Sequence, residues 1–190
     1  MVPHRRRESH VRHCPAHLTL RAFAGLPSLR GGELFASVRT ALSAASTGSF
    51  RVCEFSVQKD HLHLIVEADG TQAFRGGVRG LVVRLAKAIN RALRRHGPVW
   101  GDRYHVRLLR TPREVRNALV YVLNNWKKHL HGVGGFDPRS SAAWFTGWEG
   151  RPPIPLEASP APAARTWLGR IGWRLRGLID PRESPRMTPS

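Results

Sequence analysis

The stretch FRVCEFSVQKDHLHLIVEA (residues 50–68) decides the fold, because its pattern predicts two strands joined by a tight turn. Residues 50–57 are rich in aromatic and β-branched side chains, which favour a strand. Side chains alternate between the faces of a strand, so His61 and His63 share one face with Ile65 while the apolar residues between them occupy the other. The hairpin therefore places two imidazoles side by side on one face.

Apolar periodicity predicts further strands and helices around this hairpin. They are a strand over 13–23, a helix over 32–46, a helix over 71–95, a strand over 104–109 and a helix over 112–130. Pro112 fits the first turn of the last helix, where its missing N–H is not needed. The order β-α-β-β-α-β-α predicts an α+β protein, a ferredoxin-like antiparallel sheet with an additional C-terminal helix.

A change in composition predicts a domain boundary near the end of this pattern. Residues 1–148 are expected to form the folded domain, and 149–190 a Pro/Ala linker and a short basic tail outside it. Within the tail, 166–180 predicts a short amphipathic basic helix, either free or packed back on the domain. Its apolar side is Trp167, Ile171 and Leu175.

The charge of the chain points to a polyanionic partner. Lys and Arg number 31 against 13 acids in 190 residues, a net charge of +18. Residues 71–131 hold 14 of these cations and only two acids. An arginine-rich genome would raise the count everywhere, but it does not explain this concentration. Nucleic acid is therefore the expected partner.

The sequence also predicts a cytoplasmic protein. No apolar run reaches the roughly 20 residues of a membrane helix, and the basic start has no apolar segment behind it, so no secretory signal is expected. Cys14 and Cys53 are expected to be ordinary buried thiols. The alternative of a zinc site in HCPAH (13–17) is weak, because its spacing fits no familiar structural zinc pattern.

The predicted last helix carries an unusual polar face. Its apolar centre line is Val115, Leu119, Val122, Trp126 and Leu130. Tyr121 lies roughly 140° from that line, and Asn117, Tyr121 and Asn125 stack along one face at i, i+4 and i+8. A phenol can attack phosphorus when a metal and nearby cations stabilise the developing charge. The amide oxygen of Asn125 can complete a metal site begun by the two histidines.

Several motifs together resemble a known family. H-L-H within KDHLHLIVEA looks like the HUH motif (His, hydrophobic, His) of single-strand DNA transposases and relaxases. VWGDRYH, followed about 14 residues later by LVYVLNNWKKHL, resembles the "W-x-x-R" segment and "Y-I-x-x-N-P" helix of REP-associated tyrosine transposases. DPRSSAAWF is similar to their serine-pair and tryptophan segment. The resemblance covers roughly residues 12–148. It therefore implies that residues 1–148 hold the catalytic domain and that cleavage does not need the tail (149–190).

The resemblance implies a ferredoxin-like fold with the histidines on a central strand, and a specific set of roles. His61 and His63 match the metal-binding pair, Tyr121 matches the nucleophile that forms a 5′-phosphotyrosine, and Asn125 matches a third ligand. The implied cofactor is Mg²⁺ or Mn²⁺, and the implied partner is single-stranded or hairpin DNA, bound by a monomer or a homodimer. The residues expected to bind DNA are Arg84, Lys87, Arg91, Arg103, Arg107, Lys127 and Lys128.

Two positions depart from the family pattern. Trp126 replaces the usual proline after Asn125, which affects how the helix ends, and Val120 precedes Tyr121. Neither departure removes a group that the chemistry needs. Asp60, directly before the first histidine, either assists it or closes the turn.

A binding module without catalysis is the alternative. A ferredoxin-like sheet can bind single strands through stacked aromatics and a basic groove. Few aromatics are expected on the outer faces of these strands, and Tyr104 is the best candidate. A domesticated transposase that keeps binding and has lost cleavage fits the same residues.

Overall fold

A computed structural model describes residues 9–128, 135–150 and 155–185. The side chains of Lys127 and Lys128 lie outside the described part. The main elements are β1 (Ala16–Arg21), α1 (Gly32–Ser43), β2 (Phe50–Val57), β3 (His61–Ala68), α2 (Thr71–Ala92), β4 (His105–Leu108), α3 (Pro112–Asn124) and α4 (Trp167–Arg170). Short 3-10 turns cover Asn125–Lys128, Ala142–Trp144 and Gly172–Arg176. The predicted α+β class and element order are confirmed.

The four strands form one antiparallel sheet in the order β2-β3-β1-β4. This is the ferredoxin-like order, and it makes β3, which carries both histidines, a central strand. In the register, Thr19 of β1 and Ser56 of β2 flank His63, and Arg21 pairs with His61. The sheet therefore surrounds His63 with polar side chains from its neighbouring strands.

The sheet has a separate hydrophobic core on each face. Leu62, Leu64 and Val66 pack with α1 and α2, as the alternation of the strand predicts. Ile65 packs on the other face with α3, where Val115, Leu119 and Val122 lie. Because a strand presents alternate residues to its two faces, the face that carries His61 and His63 is the one that α3 covers.

The helix ends differ from the predicted bounds for local reasons. α2 stops at Ala92 because Arg94 adopts a left-handed conformation (φ 49°), which a helix cannot continue through. α3 begins at Pro112 behind a capping box in which Thr111 and Glu114 bond reciprocally to backbone N–H groups. It tightens into a 3-10 turn at Asn125, and residues 129–130, predicted as its end, lie outside the described part.

The predicted serine-pair segment lies along the outer edge of β2. Ser141 donates its N–H to the carbonyl of Phe55 and accepts that residue's N–H on its hydroxyl oxygen. Ser140 bridges Ser56 on the same strand. These bonds cover the unpaired edge of β2, which would otherwise be free to pair with another chain.

The structure contradicts the predicted apolar side of the tail helix. Trp167, Ile171 and Leu175 are half or more exposed, at 54%, 50% and 70%. Leu168 and Trp173 are buried instead, and they pack with α3 and Trp148 in the second core. The helix ends at Arg170 and continues as a 3-10 turn with three residues per turn, so the i, i+4, i+8 stripe does not persist.

The tail also closes over a buried acid on β3. The Glu67 carboxylate is fully buried and accepts hydrogen bonds from the Arg165 N–H (2.7 Å) and the Thr166 hydroxyl (2.7 Å). The tail also contributes four buried apolar residues to the two cores, Ala161, Leu168, Trp173 and Ile179. The predicted boundary at 148/149 stays a prediction. Whether residues 1–148 act alone stays a prediction.

Two smaller expectations concern the cysteines and membrane-spanning helices. Cys14 and Cys53 are both free thiols in buried positions, as predicted. In the described ranges no helix is long and apolar enough to cross a membrane.

Candidate active site

The face of the sheet under α3 brings the predicted tyrosine to the histidine pair. The ring of Tyr121 lies edge-on to His63, with 4.9 Å between ring centroids. His63 in turn lies 4.7 Å from His61, also edge-on. The strand and the helix thus place a phenol against two imidazoles, although His63 and Tyr121 are 58 residues apart in sequence. The roles predicted for these three residues stay predictions, but their proximity is a property of the fold.

Asp60 orients the first histidine. Its Oδ1 lies 2.7 Å from His61 Nδ1, and its Oδ2 lies 3.9 Å from Arg21 Nε. The hydrogen bond from His61 is the main cause that lowers the pKa of the Asp60 carboxyl. When Nδ1 donates this bond, the lone pair of His61 is on Nε2, which is then the atom available to a ligand. Of the two roles expected for Asp60, the contact favours assistance to the histidine.

A third histidine, His17 on β1, belongs to the same cluster, and the sequence analysis missed it. Its Nε2 lies 3.3 Å from His63 Nδ1, and Thr19 Oγ1 lies 3.2 Å from the same nitrogen. When His63 Nδ1 donates to either neighbour, Nε2 of His63 carries the lone pair. His17 and Thr19 can therefore fix the tautomer of His63 as Asp60 does for His61. The signal was present, because β1 alternates apolar residues with His17, Thr19 and Arg21.

Burial keeps two groups of this cluster, the His17 imidazole and the Tyr121 phenol, neutral at pH 7. The pKa of His17 is lowered to about 4, mainly by desolvation and further by the nearby charges of His105 and Arg107. Burial also raises the pKa of the Tyr121 phenol above its ordinary value of 10. The phenol therefore holds its proton until a cation or a base assists its removal.

A divalent metal at this cluster would be bound mainly by imidazole nitrogens. The described part of the chain contains no group of three His, Cys, Asp or Glu side chains arranged to hold a metal. Any metal here must therefore be held by the histidine pair with an amide oxygen or water. Asn125, one helical turn after Tyr121 and 4% exposed, is the residue predicted to supply such an oxygen. Two imidazoles with oxygen ligands suit Mn²⁺, and an oxygen-preferring Mg²⁺ would need several waters.

The residues expected to bind DNA fall on both faces of the sheet. Arg107 is exposed beside the site, opposite His17 in the β1–β4 register and 3.6 Å from Glu114. Arg103 is exposed in the segment before β4. Arg84, Lys87 and Arg91 lie on α2, and α2 packs on the face away from Tyr121. One strand of DNA at the tyrosine therefore does not meet all the predicted cations.

Glu54 is a partly buried acid on the same face, and its protonation gives a prediction. Burial raises its pKa to about 8, although the Ser141 hydroxyl bonds its Oε2 at 2.5 Å. The unfolded chain has an ordinary carboxyl pKa near 4.3, so it binds fewer protons than the folded chain between these values. The contribution of Glu54 to the free energy of unfolding is therefore largest below about pH 4, and it falls as the pH rises to about 8.

Glu54→Gln should remove this loss. As the pH rises from 4.5 to 8, the free energy of unfolding of the variant should increase relative to that of the natural chain by on the order of 2–4 kcal/mol. Urea denaturation at a series of pH values measures this difference. Glu157→Gln, at an acid whose side chain is 71% exposed, serves as the control and should show little change. Parallel stability curves for the Glu54 variant and the natural chain would contradict a raised pKa.

Comparison with known proteins supports the fold. No family model matches the chain, and no curated protein matches it in sequence. Among solved structures, the chain is similar to a REP-associated tyrosine transposase bound to a REP hairpin, with a TM-score of 0.55 and 18% sequence identity. The match covers 68% of this chain and 75% of that chain. At this identity the likeness shows a common fold, so this chain has the α+β architecture seen in that transposase.

Proposed function

We propose that the protein nicks single-stranded DNA and transfers the strand through a covalent 5′-phosphotyrosine at Tyr121, with a divalent metal as cofactor. The observation that carries the proposal is the 4.9 Å approach of the Tyr121 ring to His63, which the fold achieves between α3 and β3. The common fold with a REP-associated tyrosine transposase adds support, because that protein is bound to a hairpin. The net charge of +18 suits a nucleic-acid substrate.

The proposed step is an in-line displacement at phosphorus. The Tyr121 oxygen forms a bond to the phosphorus and loses its proton, while the bond from phosphorus to the 3′ oxygen breaks and that oxygen takes up a proton. The products are a 5′-phosphotyrosine and a free 3′-OH. Attack of another 3′-OH on the phosphotyrosine reverses the step and completes strand transfer.

The metal site of this proposal uses His61, His63 and Asn125. Asp60 orients the first imidazole through a 2.7 Å contact, and His17 contacts the second at 3.3 Å. A bound Mg²⁺ or Mn²⁺ would supply a Lewis acid that stabilises charge on the scissile phosphate. Arg107, exposed on the same face, would add positive charge near the phosphate.

Hairpin DNA with a single-stranded extension, labelled at either end, tests the reaction. After incubation with Mn²⁺, the 3′-labelled strand should migrate with the denatured protein, because the phosphotyrosine holds the downstream piece. The 5′-labelled piece should be released with a 3′-OH that a polymerase can extend. The opposite assignment of labels, or no adduct in either metal, would refute the proposal.

A domesticated protein that binds single-stranded nucleic acid without cleaving it is the second candidate. It is favoured by the absence, within the described residues, of a cluster of three His, Cys, Asp or Glu side chains. It is disfavoured by Tyr104, the best stacking candidate, which is partly buried against the first core. The labelled-DNA experiment separates the two, since this candidate predicts tight binding with no adduct.

Binding should weaken steeply with salt in either case. If six phosphates are neutralised by the cations of residues 71–131, log K should fall with log salt at a slope of about −4 for a single strand. Fluorescence anisotropy with a labelled oligonucleotide between 50 mM and 300 mM NaCl measures this slope. A slope near zero would remove the electrostatic argument for a nucleic-acid partner.

A further inference from the structure

Exposed apolar side chains are concentrated in the tail. Of the eight large apolar side chains that are exposed in the described part of the chain, four lie within twelve residues of one another, Trp167, Ile171, Leu175 and Leu178. Their exposed fractions run from 38% to 70%. Single exposed apolar residues are common on protein surfaces, whereas a group of them is typical of an interaction site. We name these four residues the apolar patch.

Buried neighbours hold the segment that carries the apolar patch in place. Leu168 and Trp173, which alternate with members of the patch, are buried in the second core. Trp173 also donates from Nε1 to the carbonyl of Gly169. A Cβ at Gly172 would meet the ring of Trp167 at 2.6 Å, so a glycine is needed for that ring to lie against the backbone. A surface that is already ordered loses little conformational entropy when a partner binds.

Arginines accompany the apolar patch, and no acid lies among them in sequence. Residues 165–178 contain four Arg and no Asp or Glu. Within the ranges that the structure describes, Arg170, Arg174 and Arg176 form no ion pair. Arg170 and Arg176 are exposed, and the guanidinium of Arg174 lies 4.7 Å from the ring centroid of Trp173. The surface therefore combines apolar area with positive charge that a partner can neutralise.

A cavity of about 410 Å³ opens beside the patch, between the tail and β2. Its lining includes Arg170, Ile171 and Arg174 of the tail, together with Trp144 and Glu54. Burial raises the pKa of Glu54 to about 8, so its carboxyl is mostly protonated at pH 7 and does not repel an acidic partner. The cavity has room for a large apolar side chain from a partner. Such anchors in pockets contribute most of the binding energy at protein interfaces.

The residue types favour a protein partner. Trp and Arg are enriched among the side chains that dominate binding at protein interfaces. Single-stranded nucleic acid is held by aromatic rings against its bases, whereas Ile171, Leu175 and Leu178 make the patch mainly aliphatic. A second copy of this chain is disfavoured, because the same arginines would face each other across a symmetric interface. Charge complementarity therefore selects a partner with acidic side chains.

We propose that the apolar patch and the adjoining cavity bind a partner protein through an acidic segment that carries large apolar side chains. One apolar side chain of that segment would enter the cavity beside Ile171, and its carboxylates would pair with Arg170 and Arg176. Neither Tyr121 nor a histidine lines the cavity, so this binding does not depend on DNA cleavage.

The test uses the full chain and a fluorescent peptide of about fifteen residues, in which Leu and Phe recur every three or four positions among Asp and Glu. One comparison peptide carries Ser in place of the apolar residues, and another carries Lys in place of the acids. At 0.15 M salt the acidic apolar peptide should bind at least about tenfold more tightly than either of them. Equal binding of the two acidic peptides, or no binding of either, would overturn the proposal.

Two double variants locate the site on the chain. The apolar variant is Ile171→Ser with Leu175→Ser, and the charge variant is Arg170→Gln with Arg176→Gln, all at exposed positions. Each should weaken binding of the acidic apolar peptide by about tenfold or more. Thermal melting should be unchanged for both, since none of the four side chains is buried. Affinity within about twofold of the natural chain in either variant would overturn the proposal.

Matched controls change the same kinds of residue elsewhere. Phe23→Ser with Val83→Ser removes two apolar side chains that are 47% and 46% exposed, and Arg12→Gln with Arg113→Gln removes two exposed charges. Both controls should leave the affinity for the acidic apolar peptide within about twofold. A loss as large as that of the patch variants would show a general effect of composition and overturn the proposal.

The apolar variant also distinguishes other occupants of the patch. Sedimentation should give the same mass for this variant and the natural chain, and a larger mass for the natural chain alone would assign the patch to a second copy. Weaker binding of the variant to a single-stranded oligonucleotide or to anionic phospholipid vesicles, with peptide binding unchanged, would assign it to that ligand. Either result would overturn the proposal.

Discussion

Tyr121→Phe is expected to abolish the covalent protein–DNA adduct rather than slow it. Phenylalanine keeps the ring that packs 4.9 Å from His63, and it removes only the oxygen that would bond to phosphorus. Folding should change little, because the ring is partly buried and the helix propensities of the two residues are similar. Denaturing electrophoresis with labelled DNA and Mn²⁺ measures the adduct. An adduct formed by the Phe variant would contradict the assignment of the nucleophile.

The histidine variants separate loss of metal from loss of the nucleophile. His61→Ala and His63→Ala should also stop cleavage, but through metal affinity, so excess Mn²⁺ should restore part of the activity. No concentration of metal should restore Tyr121→Phe. His61 is the cleaner test of the pair, since its side chain is 27% exposed and His63 lies in the core of the cluster. Cleavage without any metal would show that the imidazoles have another role.

Trp173→Ala is expected to destabilise the whole fold, although this residue lies in the tail. Its side chain is 1% exposed, stacks on Phe145 at 5.5 Å between centroids and donates from Nε1 to the carbonyl of Gly169. Deleting a large buried aromatic side chain costs about 3–5 kcal/mol. Chemical denaturation measures the loss, and Leu175→Ala, at a residue 70% exposed, is the matched control. Equal stability of the two variants would contradict the packed tail.

Truncation after Gly150 should have a still larger effect on stability. It removes Trp173 and Ile179 from the second core, and it removes the N–H and hydroxyl groups that bond the buried carboxylate of Glu67. The Arg51 guanidinium stays 3.6 Å from Glu67 and the uncovered carboxylate meets water, so most of the loss comes from the apolar packing of Trp173 and Ile179. The sequence predicted that residues 1–148 keep any activity. The contacts lead us to expect instead that the truncated chain loses activity because it unfolds, which thermal melting of the truncated chain would reveal.

The β-hairpin at residues 50–68 could be predicted because strand propensity, alternation and the short turn all indicate the same structure there. Both strands were predicted with the bounds that the structure gives, and the alternation of His61, Leu62 and His63 placed each on the correct face. The position of Tyr121 followed from helical periodicity alone. The approach of Tyr121 to His63 could not be predicted from periodicity, because the packing of α3 across the sheet is a property of tertiary structure.

The errors have physical causes that single segments do not reveal. His17 was missed because the alternation of β1 puts it on a polar face without showing which strand lies beside it, and only the pairing of β1 with β3 brings it to His63. The tail was assigned the wrong apolar side because the helix changes to a 3-10 turn after Arg170, which rotates Trp173 inward. The division of the cations between two faces also depends on how α2 packs, which its sequence does not state.

The most direct test of the central claim is mass spectrometry of the protein after reaction with hairpin DNA and Mn²⁺, nuclease treatment and proteolysis. The account predicts a nucleotide joined through its 5′ phosphate to the phenol oxygen of Tyr121. The modified peptide should be Asn117–Lys127, which trypsin produces, and no other peptide should carry the nucleotide. A phosphonucleotide on a different residue would contradict the proposed mechanism. So would the absence of any modified peptide when the same sample binds the hairpin.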